Sequence, residues 1–341
     1  MLIFLLNFLF LRIFCTNYRK EMFNLLSSMK SYALSKNPSF EFLNNGALEI
    51  FTPNSEFNWT ENDIKKTLSI TNGVLVEGVF YGIDENYNMK DNYKTPEKIS
   101  NEFLTILNEI KEKIVCLILD YCNENSKVEN SYYLSNKNNL ISFAAFEREL
   151  NLIENGKIYN ENENDIFSLK NIKNYLIILN SENYENFIYN LKQTNYDLII
   201  IDISMNENYN WTKKEIESLK TKKNGAKRII FAYMSVSEIV DYRNYWNSEW
   251  EKNPPEWFDK KNENWGGFRV KYWNEEWKKI LFGKNESYLD AIVNFGYDGV
   301  FLDNVDTFVF FEENGENSEC LWLKLDFFYL VVFFCFLGFI L

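Results

Sequence analysis

The sequence predicts an α/β protein in which eight parallel strands form a (β/α)8 barrel of the TIM type. Short apolar runs alternate with longer polar, helix-like segments, which is the pattern of parallel strands joined by crossover helices. Acidic residues follow several of these runs, at the strand ends where βα barrels carry their functional groups. The chain has 341 residues, of which 46% are hydrophobic, and this is enough to build one barrel of common size.

Eight apolar runs are the predicted barrel strands, three in the first half of the chain and five in the second. They cover residues 40–43, 74–79, 114–119, 175–179, 198–201, 228–233, 268–270 and 299–302. Residues 96–113 and 288–295 carry apolar side chains at helical spacing, so they are predicted to be crossover helices. Two small βα domains would give the same pattern, but three strands alone hardly form a barrel or a doubly wound sheet.

The organisation of the chain is predicted from changes in composition. Residues 1–20 are a hydrophobic N-terminal segment, and residues 21–153 contain the first group of strands. Residues 154–171 are a polar connector, and residues 172–313 contain the second group of strands. Residues 314–341 form a tail with a hydrophobic C-terminus. The connector is the best internal boundary because it is the most polar stretch between two apolar runs.

The two hydrophobic tails leave several interpretations open. Residues 1–14 are apolar apart from Asn7 and Arg12, as in the core of a signal peptide, but no small-residue cleavage site follows them. Residues 327–341 are an uncharged run, shorter than the roughly 20 residues of a membrane-spanning helix. A signal peptide, a membrane anchor and an out-of-frame or truncated reading frame all fit. We expect an extracellular or cell-surface protein, with membrane association through the termini left open.

The net charge makes nucleic acid a poor partner. The chain has 36 Lys and Arg residues against 49 Asp and Glu residues, and the resulting formal charge of -13 repels a phosphate backbone. The same charge favours a cationic or neutral partner, such as a partly deacetylated amino-sugar polysaccharide. Solubility alone explains the charge equally well.

The absence of histidine from the sequence narrows the chemistry further. With no His, the chain cannot form a Ser-His-Asp triad, a Cys-His pair or the common His-ligated zinc sites. Acid–base chemistry near neutral pH must therefore come from Asp, Glu, Lys, Tyr or Cys. The odd number of cysteines and the lack of CxxC spacing predict neither a disulfide framework nor a metal site, and we expect no cofactor. The cysteines are Cys15, Cys116, Cys122, Cys320 and Cys335.

Carboxylates at the predicted strand ends are the candidate catalytic groups. In parallel βα folds these ends share one face, so the acids are expected to converge there. The candidates at or just beyond strand ends are Asp120, Asp202, Glu238, Asp303 and Asp306. For Asp120, Asp202 and Asp306, a helix cap or a loop charge is as good an explanation as function. Glu77 interrupts the apolar run VLVEGVF, and we favour a function because burying a carboxylate is unfavourable without a partner.

An aromatic segment in residues 242–277 suits a carbohydrate ligand. Sugar rings have apolar faces that pack on flat aromatic side chains. The aromatic residues are Tyr242, Tyr245, Trp246, Trp250, Trp257, Trp265, Tyr272, Trp273 and Trp277. Core packing is the competing explanation, and for Trp277, within a helix-like run, it is the preferred one.

Several segments resemble the endo-α-1,4-polygalactosaminidase family, glycoside hydrolase family 114, whose members are TIM barrels. The first five strands of that family are similar to KRIIFAYMSVSEIVDYRNYW, WGGFRVKYW and FGYDGVFLDNVDTF. Its last three strands are similar to NPSFEFLNNGALEIF, NGVLVEGVFYG and IVCLILDYCNENSKVENSY. The resemblance covers most of the chain outside the tails and the connector, and DGVFLDNVD is its most specific motif.

The resemblance implies a retaining hydrolase of polymers that contain α-1,4-linked galactosamine. Asp303 corresponds to the first Asp of the family's LDNVD element and is the implied nucleophile. Glu77 corresponds to the Glu on the penultimate strand and is the implied acid/base. Its neighbours Val76, Val79 and Phe80 would supply apolar surroundings that favour a protonated acid.

A second set of residues is implied to bind the sugar or to orient the catalytic pair. By match to the family these residues are Asp202, Glu238, Asp241, Arg243 and Asp306. Tyr233 and Asp120, at strand ends, and Trp273, in the aromatic segment, complete the expected substrate-binding residues. Ser237 and Val240 stand where the family often has Gly and an acid, so local sugar contacts are expected to differ.

The order of the two groups differs from that of the family. Residues 21–153 resemble the C-terminal half of the family domain but precede residues 172–313, which resemble its N-terminal half. A closed barrel tolerates such a circular permutation, and a reading frame cut from two tandem copies gives the same order. We expect the strand at 40–43 to lie beside the strand that ends at Asp303. If the halves did not close, the chain would be an inactive or incomplete carbohydrate-binding remnant of a tandem-domain glycosidase.

Overall fold

The computed structural model describes residues 16–153, 157–180, 186–206, 209–262 and 266–314. The helices in these ranges are α1 (Tyr18–Lys36), α2 (Glu61–Ile70), α3 (Glu97–Ile110), α4 (Asn125–Lys137), α5 (Phe187–Lys192), α6 (Lys213–Leu219), α7 (Glu275–Leu281), α8 (Tyr288–Phe295) and α9 (Thr307–Asn314). The strands in the first half are β1 (Glu41–Asn45), β2 (Gly73–Glu77), β3 (Tyr81–Ile83), β4 (Met89–Lys94), β5 (Val115–Tyr121) and β6 (Ile141–Ala145). The strands in the second half are β7 (Tyr175–Ile178), β8 (Leu198–Asp202), β9 (Ser204–Asn206), β10 (Tyr209–Asn210), β11 (Ile229–Ser235), β12 (Glu238–Ile239), β13 (Phe258–Lys261), β14 (Phe268–Val270) and β15 (Gly299–Asp303).

Eight strands form one parallel sheet that nearly closes into a barrel, in the order β6-β5-β2-β1-β15-β11-β8-β7. The inner strands are buried along almost their whole length, as in β8 with the sequence LIIID. These strands are continuous apolar runs because both of their faces are buried: helices cover the outer face of the sheet, and the inner face lines the barrel. The predicted α/β fold of the (β/α)8 type is confirmed.

The first and last barrel strands of the chain are neighbours in space. Strand β1 pairs in parallel with β15, with Phe42 opposite Val300 and Leu43 opposite Phe301. On its other side β1 pairs with β2. The expectation that the strand at 40–43 lies beside the strand ending at Asp303 is therefore confirmed, and both groups of strands contribute to a single sheet.

One predicted barrel strand was wrong. Residues 268–270 form β14, which pairs antiparallel with β12 and β13 in a separate three-stranded sheet. The eighth barrel strand is instead β6, which pairs with β5. The run FRV is short and has Arg269 at its centre, so it cannot supply a strand buried on both faces. Each group therefore contributes four barrel strands, rather than three and five.

The other predicted segments agree with the structure in part. The helix predicted at 288–295 is α8, and the helix predicted at 96–113 is α3, which begins after Pro96. Within the described part of the predicted connector there is one short 3-10 helix, Leu169–Asn171. Most of both predicted tails lies outside the described residues. No helix in the described ranges is long and apolar enough to span a membrane.

Two buried ion pairs join distant parts of the chain. Arg19 on α1 pairs with Glu312 on α9 at 2.9 Å, which fixes the two ends of the described chain to each other. Lys222 pairs with Asp197 at 2.6 Å, and its Nζ also donates to the carbonyl oxygens of Asn162 and Asn164. This second cluster attaches the connector to the start of β8.

Candidate active site

The carboxylates of Glu77 and Asp303 lie at the same end of the barrel. Glu77 is the last residue of β2 and Asp303 the last residue of β15, and β1 lies between these strands. Because all three strands run in parallel, their C-terminal residues meet at one mouth. The last residue of β1 is Asn45, and its side chain lies between the two acids.

The amide of Asn45 connects the two carboxylates directly. Its Nδ2 donates to Oε1 of Glu77 at 2.9 Å and to Oδ1 of Asp303 at 2.9 Å. These two oxygens therefore cannot be farther apart than twice that distance. The two N–H bonds of an amide diverge by about 120°, which places the two acceptor oxygens about 5 Å apart.

Asp303 receives further hydrogen bonds on both of its oxygens. Tyr233 donates its hydroxyl to Oδ2 at 2.6 Å, and the backbone N–H of Asn304 donates to Oδ1 at 2.9 Å. Burial, followed by the charge of Asp303, raises the pKa of Tyr233 well above its ordinary value, so the phenol keeps its proton and remains a donor. Asn304 has a φ of 59°, a left-handed conformation that Asn tolerates better than most residues. The carboxylate of Asp303 is therefore fixed from three directions.

Glu77 lies in a more polar setting than its neighbours in the sequence suggested. The hydroxyl of Tyr121, from the end of β5, donates to Oε2 of Glu77 at 2.5 Å. The guanidinium of Arg148 packs over the Tyr121 ring at 3.7 Å, and its NH1 lies 4.0 Å from the same carboxylate oxygen. The Glu77 side chain is 37% exposed. Val76, Val79 and Phe80 are buried, but the carboxyl group itself faces polar partners and solvent, so the expected apolar environment is not present.

Two further acids stand close to Asp303. The Asp306 side chain keeps access to solvent, but the protein atoms around its carboxyl group, followed by the charges of Asp303 and Glu49, raise its pKa to about 7. Burial also raises the pKa of Glu238, which accepts a hydrogen bond from Asn262 at 2.7 Å. This side of the mouth is therefore rich in carboxyl groups.

Asp202 and Arg243, two of the expected substrate-binding residues, bind each other. Arg243 donates to both oxygens of Asp202 at 2.5 and 2.6 Å, and both side chains are buried. The guanidinium carbon lies 5.7 Å from the centre of the Tyr233 ring. The ion pair therefore packs beside the ring of Tyr233, the residue that donates to Asp303. Asp241, two residues before Arg243 in the sequence, is exposed.

Two other expected substrate-binding residues have packing roles. Asp120 is fully buried and accepts hydrogen bonds from the backbone N–H of Phe80 at 3.0 Å and from Ser131 at 2.6 Å. It cannot reach a ligand, so the assignment of Asp120 to substrate binding was wrong; it anchors the loop that follows Glu77. Trp273 packs against Tyr18 and Phe311, with ring centres 5.0 and 4.9 Å apart.

Three residues of the site were not identified from the sequence. Asn45 stands at the end of an apolar run, as the candidate acids do. It was not identified because only charged side chains at these positions were considered as catalytic groups. Tyr121 directly follows Asp120, and Arg148 lies just beyond the unpredicted strand β6.

Among the residues that the structure describes, no group of three or more His, Cys, Asp or Glu side chains could hold a metal ion.

Comparison with known proteins finds one family model that matches the second half of the chain. Residues 170–323 match the profile of glycoside-hydrolase family GH114. The matched range includes Asp303, Tyr233, Asp202, Arg243, Glu238, Asp241, Trp273 and Asp306. It does not include Glu77, Asn45 or Tyr121.

The curated relatives match over limited lengths. An uncharacterized protein of Methanocaldococcus jannaschii is 44% identical over 33% of this chain and 31% of its own length. An uncharacterized protein of Thermotoga maritima is 35% identical over 26% of each chain. The chain therefore spans about a third or less of the curated relatives it matches. Among solved structures, the spore cortex-lytic enzyme SleL of Bacillus cereus aligns with 83% of this chain and 67% of its own, at 10% identity and a TM-score of 0.30.

Proposed function

We propose that this chain is a glycosidase with Asp303 and Glu77 as its catalytic pair. The match of residues 170–323 to the model of glycoside-hydrolase family GH114 supports the proposal. The proposed substrate is a polysaccharide that contains α-1,4-linked galactosamine. The observation that carries the proposal is the pair of hydrogen bonds from one Asn45 nitrogen to both carboxylates.

The separation of the two acids supports a retaining mechanism. Retaining glycosidases have carboxyl groups about 5–5.5 Å apart, whereas inverting enzymes leave about 6.5–9.5 Å for a water molecule. In the proposed first step, Oδ of Asp303 bonds to the anomeric carbon as the glycosidic C–O bond breaks and Glu77 protonates the departing oxygen. In the second step Glu77 takes a proton from water, which attacks the anomeric carbon and releases Asp303.

The different surroundings of the two acids support this division of roles. Three donors hold the Asp303 carboxylate, which suits a group that must approach the sugar in one orientation. Glu77 is partly exposed, which suits a group that exchanges a proton with an incoming water molecule.

The acidic mouth supports an amino-sugar substrate. The charges of Asp303, Glu49 and Glu238 all act on Asp306, and the negative field of this group of acids favours a protonated amine on the polymer. A uronate polymer would bring like charges into the same space. A polymeric substrate also fits the expected extracellular or cell-surface location, because a long polysaccharide does not cross a membrane.

The alternative function is a carbohydrate-binding remnant that no longer cleaves. Separate locations for Glu77 and Asp303 would favour it, and their shared hydrogen-bond donor argues against it. The deciding experiment is incubation of the protein with partly deacetylated α-1,4-galactosaminan, followed by measurement of new reducing ends. Wild-type release of reducing ends that Asp303→Asn abolishes would support the hydrolase. Binding of the polymer without any new reducing ends would establish the remnant.

We also propose that the order of the two halves reflects circular permutation or a cut across tandem copies. The profile match at residues 170–323 lies in the second half of this chain, after the strands that carry Asn45, Glu77 and Tyr121. The adjacency of β1 and β15 supports this relation, because it allows the two halves to complete one site.

A further inference from the structure

Five neighbouring strands each contribute one side chain to a continuous hydrogen-bonded row. Across the sheet, in the order β5, β2, β1, β15 and β11, these are Tyr121, Glu77, Asn45, Asp303 and Tyr233. Each carboxylate has one oxygen on the central amide and the other on a phenol. Within this row, Asn45 is the member that touches both acids.

We infer that Asn45 is a positioning residue that holds Glu77 and Asp303 at the separation at which one attacks and the other donates a proton. The inference rests on the proposed function, in which these acids are the catalytic pair. The Asn45 amide would offset the repulsion between two carboxylates about 5 Å apart. Its effect on the reaction would therefore be exerted through the two acids.

The charges at the site fix the orientation of the amide. With Nδ2 between the carboxylates, both of its hydrogens are used. Within the described part of the chain, Oδ1 of Asn45 is buried without a hydrogen-bond partner. A flipped amide would give Oδ1 no donor either and would place it against two carboxylate oxygens. The observed orientation is therefore the favourable one, even though it leaves one acceptor unused.

The backbone fixes where Asn45 stands. The N–H of Gly46 donates to the carbonyl of Leu75 on β2 at 2.8 Å, which sets the register of the strand end. Gly46 and Ala47 both have left-handed backbone conformations, with φ of 57° and 56°. Such a conformation is unfavourable for Ala, so the surrounding structure must hold the turn in place. A turn held this way keeps Asn45 between the two acids.

Two substitutions with nearly the shape of Asn separate positioning from packing. Asn45→Leu removes the donor, and Asn45→Asp replaces it with a third carboxylate. We expect each to lower kcat by about 10- to 100-fold with little change in KM, since the lost bonds are charge-assisted. For Asn45→Asp the pH optimum should move to lower pH, because the introduced carboxyl group can again donate to one of the acids once it is protonated. A residue needed only for packing would not produce this shift.

A titration without substrate tests the inference independently of hydrolysis. The carboxyl signals of the wild type and of Asn45→Leu are followed by 13C NMR as the pH is raised. Loss of the donor should make one of the two acids retain its proton to a pH at least about one unit higher, because like charges then face each other directly. Other groups that act on the pair remain unchanged: Tyr121 and Arg148 beside Glu77, and Tyr233, Asp306 and Glu238 beside Asp303.

Asn44→Leu is the matched control. Asn44 is the preceding residue of the same strand, and successive strand residues point to opposite faces. Its buried Nδ2 has no hydrogen-bond partner among the described residues. The control should leave the carboxyl titration of the pair and the value of kcat unchanged.

The two readouts distinguish the inference from the function it rests on. A wild type that cleaves no polymer would overturn the proposed function, while the titration would still decide whether Asn45 couples the acids. An unchanged titration in Asn45→Leu, with the variant shown to be folded by its thermal unfolding, would overturn the role of Asn45. Equal kinetic effects of the Asn44 and Asn45 substitutions would overturn it as well.

Discussion

Tyr233 donates its hydroxyl hydrogen to Oδ2 of Asp303 at 2.6 Å. The phenol lies on β11 and the carboxylate on β15, and these strands pair directly, with Tyr233 opposite Phe301 and Ser235 opposite Asp303. The Asp202–Arg243 pair packs near the phenol ring. Asp202 and Arg243, which the sequence suggested as sugar ligands, therefore pack beside the tyrosine that donates to Asp303.

Replacing Tyr233 with Phe should reduce kcat on the polymer. The substitution keeps the ring and removes only the hydroxyl, so Oδ2 of Asp303 loses a charge-assisted hydrogen bond of about 1.5–3 kcal/mol. We expect a fall of about 10- to 100-fold, measured as the rate of new reducing ends at saturating polymer.

Tyr32→Phe is the control for that measurement. Tyr32 also donates to a carboxylate, Asp290, at 2.8 Å, but this bond joins α1 to α8 away from the mouth. The control should retain wild-type kcat. Equal losses in both variants would show that the effect of Tyr233 is general and does not act through Asp303.

The barrel was predictable from the sequence because buried parallel strands appear as apolar runs. The run ISFAA was missed since it has few large apolar side chains, although it forms β6 and its loop carries Arg148 beside Glu77. Asp120 and Asp202 appeared equivalent at strand ends, yet one anchors a loop and the other pairs with Arg243. Such outcomes depend on which side chains the folded chain brings opposite each other.

The role of Asn45 in the site could not be predicted from the sequence either. The sequence FLNNG contains two adjacent Asn residues, and nothing local indicates which of them faces the acids. The assignment follows only from the position of β1 between β2 and β15. Carboxylates could be proposed in advance because their chemistry is distinctive, whereas their neutral partners emerge from strand pairing.

Removal of each of the two proposed catalytic acids should affect activity in a different way. Asp303→Ala should abolish turnover of every substrate, because no group remains to attack the anomeric carbon. Glu77→Ala should spare an aryl glycoside with a good leaving group and cripple the polymer, whose departing oxygen needs a proton.

The measurement is the ratio of kcat/KM on the aryl glycoside to that on the polymer. Glu77→Ala should raise this ratio by about 100-fold or more, in line with the usual contribution of general acid catalysis. Glu56→Ala, at an exposed position, serves as the control and should leave the ratio unchanged. Full polymer activity in Glu77→Ala would move the acid assignment to Glu238.

The charge of the mouth should determine which polymer is cleaved. At low salt we expect faster cleavage of partly deacetylated galactosaminan than of a uronate polymer, because the acids around Asp303 attract ammonium groups. The preference should weaken as salt is added, since exposed charges are screened. Faster cleavage of the uronate polymer would contradict the proposed substrate.

Asp120 should make the stability of the protein depend on pH in a defined window. Burial raises its pKa to about 6 in the folded state, above the ordinary value of 3.8. The folded state therefore binds this proton more tightly than the unfolded state does. The stability that the group contributes is fully present below about pH 4 and is lost as the pH rises through about 6.

Asp120→Asn removes this titration while keeping an acceptor for the backbone N–H of Phe80 and a polar partner for Ser131. Urea unfolding of both proteins between pH 4 and pH 7 measures the difference in their free energies of unfolding. That difference should shift steadily in favour of Asp120→Asn as the pH rises, because only the wild type must ionise a buried carboxyl group. A difference independent of pH would mean that Asp120 does not change its protonation on folding. Its hydrogen bonds would then be those of a carboxylate that stays ionised throughout this range.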